Sequence, residues 1–354
     1  MPKLSRNCSR NLVGRLVTSF LKMMIKLLEF TRSSRHFKRF YSSHNAYVPI
    51  QSITGPLESV GLEEFRAKAF LPEKPLVITA PFAQGASHSI PAASKWFAHE
   101  SISNGSQISH TSRRVLSQSY FSDFASTILP YELTTPVDIS KTPLSADSYE
   151  HLPMLKHFLR NSGGKTFHRF SAPLSLFLQA SSALCPCPPS LYIAQAQLFD
   201  LPSALQADLP TPYLVIHAGK GDVYDANIWM GIPPTYTPLH KDPNPNLFVQ
   251  LASQKRVRLF RKSIGDAIFR DVRERMGQAG LSDAIRGNEM MEGLESIYTK
   301  EAVWSEDING RILGGEGLEA VVGPGDALFI PKGWWHSFMS VGSDVTASVN
   351  WWFR

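Results

Sequence analysis

The sequence predicts a mostly β protein in which short antiparallel strands close into a jelly roll around a metal-binding triad. Three observations carry that prediction. Residues 246–251 and 255–260 form two strand-like runs separated by a short turn. In residues 325–336, Gly325-Asp326 and Pro331-Lys332-Gly333 are turn signals on either side of the apolar run Ala327-Leu328-Phe329-Ile330. Finally, His240-Lys241-Asp242 is followed 94 positions after the aspartate by His336.

The elements follow in chain order. A helix is expected over residues 62–70, then a strand in Lys74-Pro75-Leu76-Val77-Ile78-Thr79 as the chain leaves a proline turn, and the folded part is expected to begin near Pro56. Residues 80–190 are turn-rich and serine-rich and give little beyond a helix at 173–181. Ser190-Leu191-Tyr192-Ile193-Ala194-Gln195 reads as a strand, and so do the runs at 246–251 and 255–260. Between the core strands, residues 264–300 are charged and helix-compatible, with helices expected at 266–275 and 281–291. This insertion is expected beside the mouth of the site, where it can shape substrate choice. The short strand 327–330 precedes a turn that delivers His336 to a strand start, and Thr346, Ser348 and Asn350 make a polar face on a last strand.

On a β-strand, residues two apart share a face, so His240 and Asp242 can reach one metal while Lys241 points away. Two imidazoles and a carboxylate on one side of a metal form the facial triad of non-haem Fe(II) oxygenases, which leaves coordination positions open. His336 supplies the second imidazole.

A lysine is expected in the same interior. Alternation over residues 255–260 puts Lys255, Val257 and Leu259 on one face and Arg256, Arg258 and Phe260 on the other. Burying an ammonium beside aliphatic side chains costs several kcal/mol unless an anion pairs with it. Since residues 247–251 offer no acidic partner, the anion is expected to be a ligand; the competing reading is a lysine snorkelling to solvent at a strand end.

These motifs together resemble the JmjC/cupin-like hydroxylases, in particular the factor-inhibiting-HIF type of asparaginyl hydroxylase. The resemblance is dense from residue 191 to the end and thinner before. It implies a double-stranded β-helix (jelly roll, cupin/JmjC) with a helical N-terminal part at 56–190, a catalytic core at 191–354 and the helical insertion at 264–300. It further implies Fe(II) bound by His240, Asp242 and His336, and 2-oxoglutarate as cosubstrate, decarboxylated to succinate and CO₂ by O₂ as a C–H bond is hydroxylated. In that family a lysine spaced like Lys255 and a threonine placed like Thr237 hold the far carboxylate of 2-oxoglutarate. Tyr192 matches a tyrosine that bonds the same group, although a buried tyrosine finds some partner in any case. Asn246 and Asn350 match family positions near the metal and the cosubstrate.

With 354 residues, 43% of them hydrophobic, the chain can bury a full core, and it has no 18-residue uncharged run that would span a membrane. Cys8, Cys185 and Cys187 are too few for a disulfide framework and read as free thiols. The charge is uneven. Residues 1–41 hold ten Lys or Arg against Glu29 alone, a net of +9, which leaves about −3 of the total +6 for the rest. A general nucleic-acid binder would keep a basic folded surface, so none is expected. Polar positions Arg15, Ser19, Lys22, Lys26 and Glu29 recur at helical spacing among apolar neighbours, which reads as a mitochondrial presequence ending after Tyr41. The competing reading is a membrane-surface arm.

A protein or peptide side chain is the expected substrate, in keeping with the resemblance, and the mitochondrial matrix the expected location. Hydroxylation of a modified tRNA base, lysine demethylation and a catalytically silent cupin binding module are the alternatives. The C-terminal helices by which asparaginyl hydroxylases pair are not expected after Trp351-Trp352-Phe353-Arg354, which leaves the oligomeric state open.

Overall fold

A computed structural model describes residues 47–80, 90–101, 112–134, 149–160, 167–182, 189–277, 290–305 and 316–354. They fall within one compact unit, Asn45–Arg354. The presequence-like segment 1–41 and all three cysteines lie outside the described residues. Among the described residues no helix is long and apolar enough to cross a membrane.

The N-terminal part supplies strands β1 (Tyr47–Pro49), β2 (Ser52–Thr54), β3 (Leu76–Thr79), β4 (Phe97–Ser101), β5 (Ser112–Leu116), β6 (Ile128–Thr134) and β7 (Phe167–Pro173). The C-terminal part adds β8 (Ser190–Gln197), β9 (Val223–Gly231), β10 (Tyr236–Lys241), β11 (Asn246–Ala252) and β12 (Gln254–Phe260). After the insertion come β13 (Gly317–Val322), β14 (Ala327–Ile330), β15 (Trp335–Val341) and β16 (Thr346–Phe353). Helices α1 (Leu62–Phe65), α2 (Ala92–Lys95), α3 (Gln118–Phe121), α4 (Pro153–Arg160), α5 (Leu174–Ser181), α6 (Ser203–Ala207) and α7 (Tyr213–His217) decorate this frame. The insertion contributes α8 (Lys262–Arg275) and α9 (Gly293–Trp304).

Two sheets form the jelly roll. The smaller has the order β1-β13-β12-β15-β10, the larger β2-β3-β14-β11-β16-β9-β8-β6-β7. Strand β11 shows how its sequence fits. Every residue in it is buried, because Phe248 faces the interior with Val257, Leu259, Leu328 and Phe338 while Leu247, Val249 and Leu251 pack under the N-terminal helices. A strand buried on both faces reads as a continuous apolar run, and each such side chain contributes about 1.5–3 kcal/mol on burial. In β12 the alternation holds: Val257 and Leu259 point into the barrel, whereas Phe260 packs outside it with Ile268, Phe269 and Val272 of α8.

Three expectations are corrected. The folded part starts before Pro56, since β1 pairs in parallel with β13 and β2 with β3; three-residue strands carry no local period and exist only through their partners. Residues 80–190 add β6 and β7 to the large sheet, where Leu129, Tyr131 and Leu133 face the core. Pro130 breaks that pattern to the eye because proline is unusual within a strand. Of the helix expected over 281–291, residues 281–289 lie outside the described residues and Met290 and Met291 lie in a turn, and the helix observed here runs from Gly293 to Trp304. It is joined to α8 by the Arg273–Glu295 ion pair at 3.3 Å, both side chains being under one tenth exposed.

Candidate active site

His240 ends β10 and His336 lies near the start of β15, and the antiparallel register sets them directly opposite each other. Their ring centroids are 4.1 Å apart. Asp242 follows β10 by one residue, and its oxygens lie 3.8 Å from His240 Nε2 and 3.6 Å from His336 Nε2. Gly333 in the turn before His336 has φ +75°, a left-handed conformation suited to glycine. From there its N–H donates to the Asp242 carbonyl at 3.0 Å, tying the two ligand-bearing segments together.

The protonation of this triad suits a cation. His240 Nδ1 lies 2.9 Å from the Pro238 carbonyl and His336 Nδ1 3.0 Å from that of Trp334. A carbonyl only accepts, so each Nδ1 carries the proton and each Nε2 presents its lone pair to the centre. Burial, then the neighbouring His240, pushes His336 down to about 4, so it is neutral at pH 7. Burial alone would raise Asp242, but the two imidazoles and the N–H groups of Trp352 and Asn246 outweigh it and hold the carboxyl below its usual range. Two imidazoles and one carboxylate, with ligand atoms all within 4.8 Å of one another, fit a divalent metal of the Fe(II) type.

Asn246 and Asn350, expected near the metal and the cosubstrate, form a chain of bonds onto the Asp242 carboxylate. Asn350 Nδ2 donates to Asn246 Oδ1 at 3.0 Å, and Asn246 Nδ2 donates to Asp242 Oδ2, also at 3.0 Å. Trp352 Nε1 donates to the same oxygen at 2.8 Å. The sequence reasoning passed over Trp352, although it continues the alternation of Thr346, Ser348 and Asn350 by one step.

Lys255, Tyr192 and Thr237 converge a short way inside the barrel. Lys255 is 3% exposed and its Nζ donates to Tyr192 Oη at 3.2 Å and Ser348 Oγ at 3.1 Å. No carboxylate pairs with it among the described residues, and burial pushes its ammonium down to about 7. Burial raises the Tyr192 phenol, which accepts a hydrogen bond from Thr237, so Tyr192 stays a neutral donor. The indole Nε1 of Trp229, whose ring lies 5.8 Å from that of Tyr192, is buried without an acceptor. A buried ammonium and a buried N–H that both lack an anion are what a bound carboxylate would satisfy. Ser348 belongs to the polar face expected on the last strand, whereas Trp229 had no motif to mark it; the register sets the two opposite each other on β16 and β9.

His240, Asp242 and Tyr192 open into one cavity of about 680 Å³. Glu132 and Arg169, an ion pair at 2.9 Å, line it from the large sheet, and Lys262, Phe269, Met290 and Met291 line it from the insertion. The insertion therefore forms part of the cavity wall.

A family model described as the cupin-like domain matches residues 62–354. The chain belongs to the cupin-like domain family. JmjC members of this cupin-like family are Fe(II)- and 2-oxoglutarate-dependent oxygenases. Among curated relatives, lysine-specific demethylase JMJ30 of Arabidopsis thaliana is 26% identical over 220 residues, covering 62% of this cupin-like chain and 42% of that protein. Lysine-specific demethylase 8 of Xenopus tropicalis is 26% identical over 163 residues, 46% of this chain and 32% of that protein. Jumonji C domain-containing protein 5 of Drosophila melanogaster is 23% identical over 221 residues, 62% and 47% of the two chains. The aligned parts thus span less than half the length of these relatives.

Proposed function

We propose that this chain is an Fe(II)- and 2-oxoglutarate-dependent oxygenase that hydroxylates a protein side chain. The observation that carries this reading is the convergence of His240, Asp242 and His336 near a buried lysine that has no carboxylate partner among the described residues and donates to Tyr192, a residue of the cavity wall that also holds His240 and Asp242. His240, Asp242 and His336 would hold the metal. Lys255, Tyr192 and Thr237 would hold the distal carboxylate of 2-oxoglutarate. When bound, iron and 2-oxoglutarate supply oxidative decarboxylation to succinate and CO₂ coupled to hydroxylation of a C–H bond.

The chain's own residues orient and insulate. Asn246 and Trp352 fix the rotation of the Asp242 carboxylate, as outer-shell partners do at metal sites. Lys255 takes up a proton when a carboxylate binds, since a paired ammonium is favoured over the depressed, unpaired one. Phe248, Val257, Leu328 and Phe338 fill the interior beside it and exclude water. A protein substrate is supported by two of the relatives, which are named lysine-specific demethylases. Lysine demethylation is the second reading those names favour, and it uses the same C–H hydroxylation on an N-methyl group.

Succinate release from 2-oxoglutarate by the full chain with Fe(II) and O₂ tests the proposal. Turnover is expected in the wild type and absent in His240→Ala. No turnover together with no 2-oxoglutarate binding would instead make the chain a silent cupin binding module.

The basic, amphipathic composition of residues 1–41 supports a mitochondrial location. A reporter fused to residues 1–45 is expected in the matrix; a cytosolic signal would remove this localisation.

A further inference from the structure

Strand β10 carries His240 and leads into Asp242, yet among the described residues it is the edge of the five-stranded sheet, with β15 as its one sheet neighbour. Its register also slips between Thr237 and His240. An irregular edge strand has half the ladder support of an interior one. Fixing the spacing of two ligands on such a frame requires a second hold.

The ladder shows where that hold is applied. His240 faces His336 across the strands, and the next pair is Lys241 opposite Trp335. Successive residues point to opposite faces, so the Lys241–Trp335 pair turns toward α8 when the histidine pair turns toward the metal position. One carboxylate on α8 engages both members. Asp266 Oδ1 accepts from Trp335 Nε1 at 2.8 Å and from Lys241 Nζ at 3.4 Å, and the Lys241 ammonium stands 4.8 Å from the Trp335 ring. The other oxygen, Oδ2, is held by Lys262 of the same helix at 2.5 Å. The helix comes this close because residue 265 is glycine: a Cβ there would lie 2.1 Å from the Trp335 indole. Phe269, one turn on, stacks on the same indole at 5.7 Å.

We propose that Asp266 is a positioning residue for the metal centre. By clasping Lys241 and Trp335 to α8 it fixes β10 against β15, and with them the separation of His240 and His336. The insertion is thereby coupled to the metal ligands as well as to the cavity wall. This inference rests on the reading of the triad as a metal centre.

Co(II) titration of the full chain, followed by its visible bands, tests it. Asp266→Ala is expected to weaken Co(II) by about 10–100-fold, the usual effect of losing an outer-shell partner, and to shift the bands because the ligand geometry relaxes. Asp266→Asn should recover part of the affinity, since its amide oxygen can still accept from Trp335. Asp271→Ala, which removes the same charge from an exposed position on the same helix, should bind like the wild type. If Asp266→Ala does not fold, as judged by its melting curve, Asp266→Asn and Lys241→Ala carry the test. Wild-type affinity and unchanged bands in the folded Asp266 variants would overturn the proposal. A wild type that binds no more Co(II) than His240→Ala would refute the metal-centre reading itself, a separate failure.

Discussion

His240→Ala and Asp242→Ala are each expected to leave a folded protein that retains no Fe(II). The argument is one of donor count. Three protein ligands converge here, and the structure offers no fourth: among the described residues His240, Asp242 and His336 are the one group of His, Cys, Asp and Glu side chains placed to share an ion. A lost outer-shell partner alone costs about 10–100-fold in metal affinity, so loss of a ligand should exceed that. Asp242→Ala has a second effect, since it strips the acceptor from both Trp352 and Asn246 and leaves the buried Asn246 amide unpaired, along with the half-buried Trp352 indole. Some loss of stability is therefore expected in Asp242→Ala and little in His240→Ala, whose ring is partly exposed in the cavity. Metal content after dialysis against Fe(II), with a melting curve for each variant, separates the two effects. Undiminished metal in either variant would remove the triad assignment.

Lys255→Ala is expected to weaken 2-oxoglutarate by about 2–5 kcal/mol, the range for truncating one partner of a buried charge pair. That is roughly thirtyfold to several thousandfold in the dissociation constant. Two pH effects follow with opposite readouts. In the unfolded chain Lys255 titrates near its ordinary 10.5, while in the folded, ligand-free protein burial pulls it down to about 7. Between those values the unfolded state binds the extra proton, so stability rises as pH climbs through the window, and the cost is fully present below about 7. Binding of a dicarboxylate runs the other way. It needs the ammonium, so affinity should be greatest below pH 7 and fall by up to about tenfold per unit above it. Lys255→Met should flatten both profiles. Calorimetric titration with 2-oxoglutarate across pH 6–9 checks this, and an unaltered affinity in the variants would leave Lys255 as a packed cation with no ligand.

The family relationship and the asparaginyl-hydroxylase resemblance bear on different questions. Membership rests on residues 62–354. The relatives described above carry demethylase or JmjC names, so the choice between hydroxylation and demethylation rests on what enters the cavity between β6, β9 and the insertion.

The shared face of His240 and Asp242 was legible because the two lie two apart on a strand, and Lys255 because it stands out on an otherwise aliphatic face. Both signals are local and have the strand's period of two. Strand β12 was legible for the same reason, β11 and β14 as continuous apolar runs, and the turn before His336 from Pro331-Lys332-Gly333. What holds those residues was not. Trp352 lies 110 positions from the carboxylate it bonds, Ser348 lies 93 from Lys255, and Trp335 lies 69 from Asp266. No sequence period connects such pairs; register and helix docking create them. Strand β6, hidden behind Pro130, and the position of α9 were likewise settled by partners. Alternation along the chain thus determined which side chains face inward. Only the closure of the sheets decided which of them meet, because hydrogen-bond donors and acceptors distant in sequence become neighbours when the strands that carry them are paired.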